Sequence, residues 1–256
     1  MKTSTQFCFG LLALSSSIVS AAPAMQLTAQ TTENTIVIDG QIDDTWKQAT
    51  PIRIELNETP YKPSNGYAGV KSTEVELRAL YDKEFIYMLV HYADPTESLQ
   101  RFPWEKQPNG TWKQLENRDD TGNDNTYYED KFALLWNINT RGFKKKGCDQ
   151  SCHMKEDSLV DGIPDSSSGR HFTRNQGEVL DAWHWKSART NPNFQMDDQY
   201  FNSDRKAQNK SWGRHSDVKT GGGYVKNINQ DKTAPEWMSK EANPESAYWI
   251  HERNKV

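Results

Sequence analysis

Apolar and polar residues alternate one for one along Ile52-Arg53-Ile54-Glu55-Leu56, as a strand with one wet face requires. Val75 to Tyr81 alternates in the same way, and Asp82-Lys83 then predicts a tight turn. Phe85 to Tyr92 is apolar on both faces, which predicts a central strand. Upstream, Thr35 to Ile38 is a short β-branched run that ends at the turn dipeptide Asp39-Gly40. Ile42, Trp46 and Ala49 follow at helical spacing behind Asp43, a capping residue, and predict a single helical turn. Lys131 to Ile138 and Val179 to Lys186 read as two further buried strands. In the second, the period of two sends Trp183 and Trp185 to one face and His184 and Lys186 to the other. Long polar stretches separate these elements: Asp94 to Asp130, Gly142 to Glu178, and most of the chain after Asn191. Loops of that length in a compact domain usually carry function. The pattern predicts an all-β fold, a β-sandwich with long loop insertions and a few short helices.

Composition sharpens this picture. The chain has 256 residues, 26% charged and 34% apolar. A mean hydropathy of −0.93 would suit a disordered chain, but nine Trp, ten Tyr and nine Phe supply the bulky rings that disordered segments lack. The first residues read as an address. Lys2 is a small positive region, Phe7 to Leu14 an apolar core, and Val19-Ser20-Ala21 a small-residue cleavage site. Residues 1–21 are therefore expected to be a signal peptide and 22–256 a single β-sandwich domain, exported to the periplasm. No later apolar run is long enough to span a bilayer, so no membrane span is expected in the mature chain. A net charge of −4 gives no electrostatic reason to expect nucleic acid.

The strongest chemical signal is Gly147-Cys148-Asp149-Gln150-Ser151-Cys152-His153. Two cysteines with a histidine directly after the second is the arrangement that attaches c-type haem. Each thiol adds to one vinyl group of the porphyrin, and the adjacent imidazole becomes an axial iron ligand. The usual spacer is two residues and here it is three; an extra residue can bulge outward while the sulfurs keep their places. Cys148, Cys152 and His153 are thus the candidate cofactor-binding residues, with His153 on the metal. Two other readings stay open. One is a Cys148–Cys152 disulfide, with non-covalent haem or none. The other is zinc or a redox-active dithiol, disfavoured because no second Cys/His pair with ligand spacing lies nearby. c-type haem is the favoured cofactor and b-type haem the alternative.

An electron-transfer haem needs a second axial ligand. His184 or Lys186 would meet iron if their face of the strand borders the haem, and the lysine would need burial, since only its neutral amine coordinates. Met88, His91, Met154, His171, Met196, His215, Met238 and His251 are further candidates. For each taken alone, a core methionine or solvated histidine is the plainer reading. No Ser–His–Asp order and no glycine-rich phosphate loop points to other catalysis.

Six segments occur in an order that resembles a known family. They are Asp94 to Ser98, Glu129 to Trp136, Gly147 to His153, Leu180 to Lys186, Asp197 to Gln199 and Gly221 to Tyr224. Together they resemble the haem-binding domain family of the ethylbenzene dehydrogenase and dimethyl sulfide dehydrogenase gamma subunits and the cytochrome c-552-like proteins, over roughly residues 33 to 250. The resemblance implies a periplasmic β-sandwich that holds one haem and passes single electrons. Its partner would be a redox protein, either the catalytic subunit of a molybdenum enzyme or a membrane cytochrome. The gamma subunits hold haem b between a methionine and a lysine; Cys148, Cys152 and His153 depart from them toward the c-type branch. If Lys186 or Met238 keeps a ligand's role, His153 would supply the opposite one.

A second, weaker likeness lies in Ile38 to Ala49, which looks like the opening of family-nine carbohydrate-binding modules, also β-sandwiches. It is read as structural, with Ile38, Ile42 and Trp46 anchoring the first strand. A carbohydrate-binding β-sandwich with a disulfide and no haem remains the alternative function. Lys144-Lys145-Lys146 reads as a solvated loop, with propionate neutralisation or steering of an acidic partner as the functional option. The acidic clusters 118–124, 128–130 and 197–198 lack EF-hand spacing, so calcium is a weak expectation.

Overall fold

A computed structural model describes residues 25–57, 64–66, 69–119, 124–153, 159–160, 163–164, 171–204, 213–216 and 226–236. The fold is all-β: regular helix among these residues amounts to one turn, Phe143–Lys146, and a few 3-10 turns. The chain divides into two compact units, one formed by 1–55 and 74–92, the other by 56–73 and 93–256.

The first unit is built on a sheet of β1 (Gln30–Thr31), β2 (Ile52–Leu56), β3 (Thr73–Tyr81) and β4 (Ile86–Tyr92). Strand β3 is its hub. It pairs with β2, antiparallel with β4 from Val75↔Tyr92 to Tyr81↔Ile86, and parallel with β1 at Leu80 and Tyr81. Alternation in β3 buries Val75, Leu77 and Ala79. Asp82 makes the following turn. Its carboxylate accepts from the backbone N–H of Glu84 and Phe85, at 2.8 Å each, and from the Tyr87 hydroxyl. The helical turn is a 3-10 turn, Asp44–Gln48, capped by Asp43. Trp46 and Ala49 pack with Leu80, and Arg78 donates to the carbonyls of Trp46 and Ala49.

Two expectations change here. Thr35 to Ile38 is not a strand, and Ile38 and Ile42 are exposed, so Trp46 alone of the three anchors this region to the core. Phe85 to Tyr92 does form a strand, but β4 pairs with β3 alone among the described residues, and Phe85 and Ile86 are exposed. Tyr87 to Val90, which alternate between its two faces, are half-buried, so neither face is fully covered.

The second unit contains the hairpin β5 (Trp104–Lys106) with β6 (Trp112–Gln114), then β7 (Lys131–Asn137), the short pair β8 (Leu159–Val160) with β9 (Ile163–Pro164), and finally β10 (Leu180–Lys186), β11 (Asp197–Phe201) and β12 (Arg214–Ser216). The order β12-β11-β10-β7 is antiparallel throughout, with β10 in the interior. Paired residues share a face. Leu180, Ala182, His184 and Lys186 therefore lie on one side with Leu135, Lys131, Asp197, Gln199 and Phe201. The apolar half of that side packs Leu180, Ala182 and Phe201 against Leu135 and Phe143. The opposite side carries Trp183 and Trp136, ring centres 5.0 Å apart, and Tyr200 stacked on His215.

Candidate functional site

The cysteine segment is folded as a turn. After the helical turn of Phe143–Lys146, Gly147–Gln150 forms a 3-10 turn in which the Cys148 carbonyl accepts from the N–H groups of Ser151 and Cys152 at 2.9 Å each. Ser151 is fully buried and also turns its hydroxyl to that carbonyl. Cys148 is exposed, Cys152 half-buried, and both are thiols. The three-residue spacer therefore closes into a single tight turn rather than an extended bulge. His153 is buried. Its Nε2 lies 3.0 Å from the Phe172 carbonyl and its Nδ1 3.2 Å from Nη2 of Arg174. A guanidinium can only donate, so Nδ1 is the acceptor, and the neutral ring carries its proton on Nε2, which donates to Phe172. The ring also packs on Phe172 at 4.1 Å.

This segment stands over the apolar end of the β10 face. Phe143, five residues before Cys148, packs on Leu180, Ala182 and Phe201. Cys152 forms a β-bridge with His171, whose ring lies 5.6 Å from that of Phe201. Gly213 makes the close approach possible. It adopts φ +67°, and a Cβ there would sit 2.6–2.7 Å from Phe172 Cβ and the carbonyls of Asn202 and His171.

The other end of the same face is polar. Lys186 is buried and its Nζ is bonded to Asp197 Oδ2, which also accepts from Gln199 at 2.8 Å. Asp197 Oδ1 is buried and has no hydrogen-bond partner among the described residues. Burial, with help from Arg189, pushes the Lys186 ammonium down to about 8 against the pull of Asp197. Burial, with Lys186 and Lys131 beside it, pushes His184 down to about 2, so its imidazole is neutral. Both side chains that sequence alternation placed together do share this face. Asp197 was legible only as an acidic residue, and its role as the lysine's buried counter-ion follows from the register Trp183↔Asp198 and His184↔Asp197.

The remaining candidates scatter. Met88 and His91 belong to β4 in the first unit; His215 is on the opposite side of the second sheet, bonded to Asn202. Met154, Met238 and His251 lie outside the described residues, as does Gly221 to Tyr224. Among the described residues, no group of three or more His, Cys, Asp or Glu is placed to hold a metal ion. No helix among them is long and apolar enough to cross a membrane. Lys144, Lys145 and Lys146 are exposed.

The chemistry of the donors fits a haem. An exposed thiol at Cys148 and a half-buried one at Cys152, a neutral imidazole next to the second, and a buried amine whose proton affinity is lowered are groups such a cofactor takes. Ligation through His153 Nε2 would require the ring to leave the Phe172 carbonyl, and ligation by Lys186 would require its amine to leave Asp197.

A family model described as ethylbenzene dehydrogenase matches residues 43–255, and the chain belongs to this family. Comparison with curated proteins and with solved structures finds no match.

Proposed function

We propose that this protein is an exported haem-binding electron-transfer protein or subunit, with the haem attached through Cys148 and Cys152 and ligated by His153. The observation that carries the reading is the placement of the Cys148–His153 turn over the same face of β10 that bears His184 and Lys186. Family membership supports it. The leader-like pattern of residues 1–21 supports export to the periplasm. A molybdenum-enzyme catalytic subunit or a membrane cytochrome is the proposed partner.

A bound haem would supply a one-electron iron couple whose potential depends on axial ligands and burial. The chain's own residues set the conditions. Cys148 and Cys152 would hold the ring edge and His153 would offer Nε2; of the two groups on the β10 face, His184 is already neutral, whereas Lys186 would have to shed the proton it shares with Asp197 before its amine could coordinate. Leu180, Ala182, Phe201 and Phe143 form an apolar cluster that would shield one side of such a group from water.

The test is the optical spectrum of the purified protein, before and after alkaline pyridine and reductant, together with haem staining of a denaturing gel. Covalent haem stays with the chain on the gel and is lost in Cys148→Ser and Cys152→Ser. A colourless mature protein would sink the proposal.

A further inference from the structure

One cross-strand rung of the second sheet carries aromatic rings on the side opposite the cysteine turn. Trp136 of β7 is paired with Asp181 of β10, Asp181 with Tyr200 of β11, and Tyr200 with His215 of β12. Paired residues share a face, so the four side chains stand in a row across all four strands. Neighbouring strands lie about 4.8 Å apart, which makes the row roughly 14 Å long. Trp183 joins it from the next rung, its ring centre 5.0 Å from that of Trp136.

The row is open to solvent, with Trp136 37% exposed and Tyr200 46%. An exposed cluster of large rings is the informative departure from ordinary burial. The rings are also braced. Tyr200 stacks on His215, ring centres 4.4 Å apart and planes within 8°, and His215 is bonded to Asn202 at 3.0 Å. Asp181 Oδ2 accepts from the Trp183 indole N–H at 3.1 Å. Asp181 Oδ1, the Trp136 indole N–H and the Tyr200 hydroxyl make no hydrogen bond to another described residue. A ligand for this row must offer flat apolar faces to the rings and polar groups to the atoms between them. Charge narrows the choice. The side of the four strands that bears the row has no lysine or arginine, while Asp181 and Asp198 both lie on it. An anion would meet two carboxylates there, which disfavours phosphorylated and sulfated ligands. A neutral sugar meets both conditions. Its C–H faces carry partial positive charge against the negative faces of the rings, and its hydroxyls can donate to Asp181 and accept from Trp136. The straight row suits an extended chain of sugars better than a single ring.

We infer that Trp136, Asp181 and Tyr200, supported by Trp183 and His215, form a binding face for a neutral, extended polysaccharide of the cellulose or chitin type. The face belongs to the second unit and lies on the other side of the sheet from His184 and Lys186, so it stands independently of the proposed haem.

The full-length chain is titrated by calorimetry with cellohexaose and with chitohexaose, glucose serving as the single-ring control. At least one hexasaccharide should bind, and more tightly than glucose. Trp136→Ala and Tyr200→Ala should each weaken binding roughly fivefold or more, the order of one aromatic contact. Asp181→Asn, which keeps the side chain's shape, should weaken it as well. Phe85→Ala, which removes an exposed ring of the first unit, should leave it unchanged. Urea midpoints equal to wild type show that the variants are folded, and if an alanine variant unfolds, Asp181→Asn decides. Binding of neither hexasaccharide, binding indifferent to these substitutions, or tighter binding of dextran sulfate overturns the site. If the face instead joins two copies of the chain, sedimentation finds a dimer that Trp136→Ala dissolves and the sugars do not, which overturns it too.

Discussion

Gly213 is the residue most tightly constrained by its surroundings. Its positive φ suits glycine, and any Cβ would collide with backbone and Cβ atoms that no rotamer change can move. Gly213→Ala should therefore destabilise the chain by on the order of 2 kcal/mol or more. It should also displace His171 and Phe172, the supports of Cys152 and His153. Urea unfolding measures the first effect; a stability equal to wild type contradicts the geometry. Glu178 acts by hydrogen bonding. Burial pushes its carboxyl up, but donation from Asn175 and the Arg141 N–H outweighs this and holds it below the ordinary carboxylate range. A lowered folded pKa means that its stabilisation is complete above the unfolded value, roughly 4.3, and is lost as pH falls through the folded value. Glu178→Gln should flatten that part of the acid limb of the stability curve, read by urea unfolding across the acidic range. Parallel wild-type and variant curves would speak against the assignment.

At the scale of the element, β10 organises the second unit. Removing the amine of Lys186 leaves the Asp197 carboxylate buried beside Gln199 without its cation. In the haem-free protein Lys186→Met should cost about 3 kcal/mol or more. Adding Asp197→Asn should recover part of that cost; a double variant no more stable than the single one would show that the buried charge is not the cause. Alternation made much of this element legible: the run from Val179 to Lys186 yields β10 and the correct face for His184 and Lys186. The 3-10 turn behind Asp43 and the strands at Ile52 to Leu56 and Val75 to Tyr81 follow from equally local signals. Strands β11 and β12 were hidden in a polar stretch, because Asp197 and Gln199 occupy buried positions that hydrophobic periodicity assigns to apolar residues. The same blindness hid the partnership of Glu129 with Arg189, sixty residues apart and joined only by the fold. Thr35 to Ile38 failed in the opposite sense, since β-branched residues make a strand only when an edge is available to pair with them.

For the whole molecule, the distribution of charge matters more than its sum. A chain of net charge −4 nevertheless concentrates Arg101, Lys131 and Arg189 at one place on its second unit, with the exposed Lys144 to Lys146 elsewhere on that unit. Under the proposed function, the exposed lysines are available to steer an acidic redox partner. Their replacement by Gln should slow association with such a partner, most at low ionic strength, and leave the spectrum of the proposed haem intact. Stopped-flow mixing across a salt series reads this directly, and a rate indifferent to both salt and substitution would remove the lysines from the encounter.

The hold of Phe172 and Arg174 on the His153 ring bears on the timing of biogenesis. Under the proposed function, once this latch has shut the imidazole is spoken for on both sides, and an incoming porphyrin would first have to prise the 151–153 and 171–174 segments apart. A chain that has not yet folded meets no such obstacle. Maturation should thus be fast on the nascent polypeptide and sluggish on a pre-folded one, a difference that pulse-labelling of haem incorporation before and after refolding would expose.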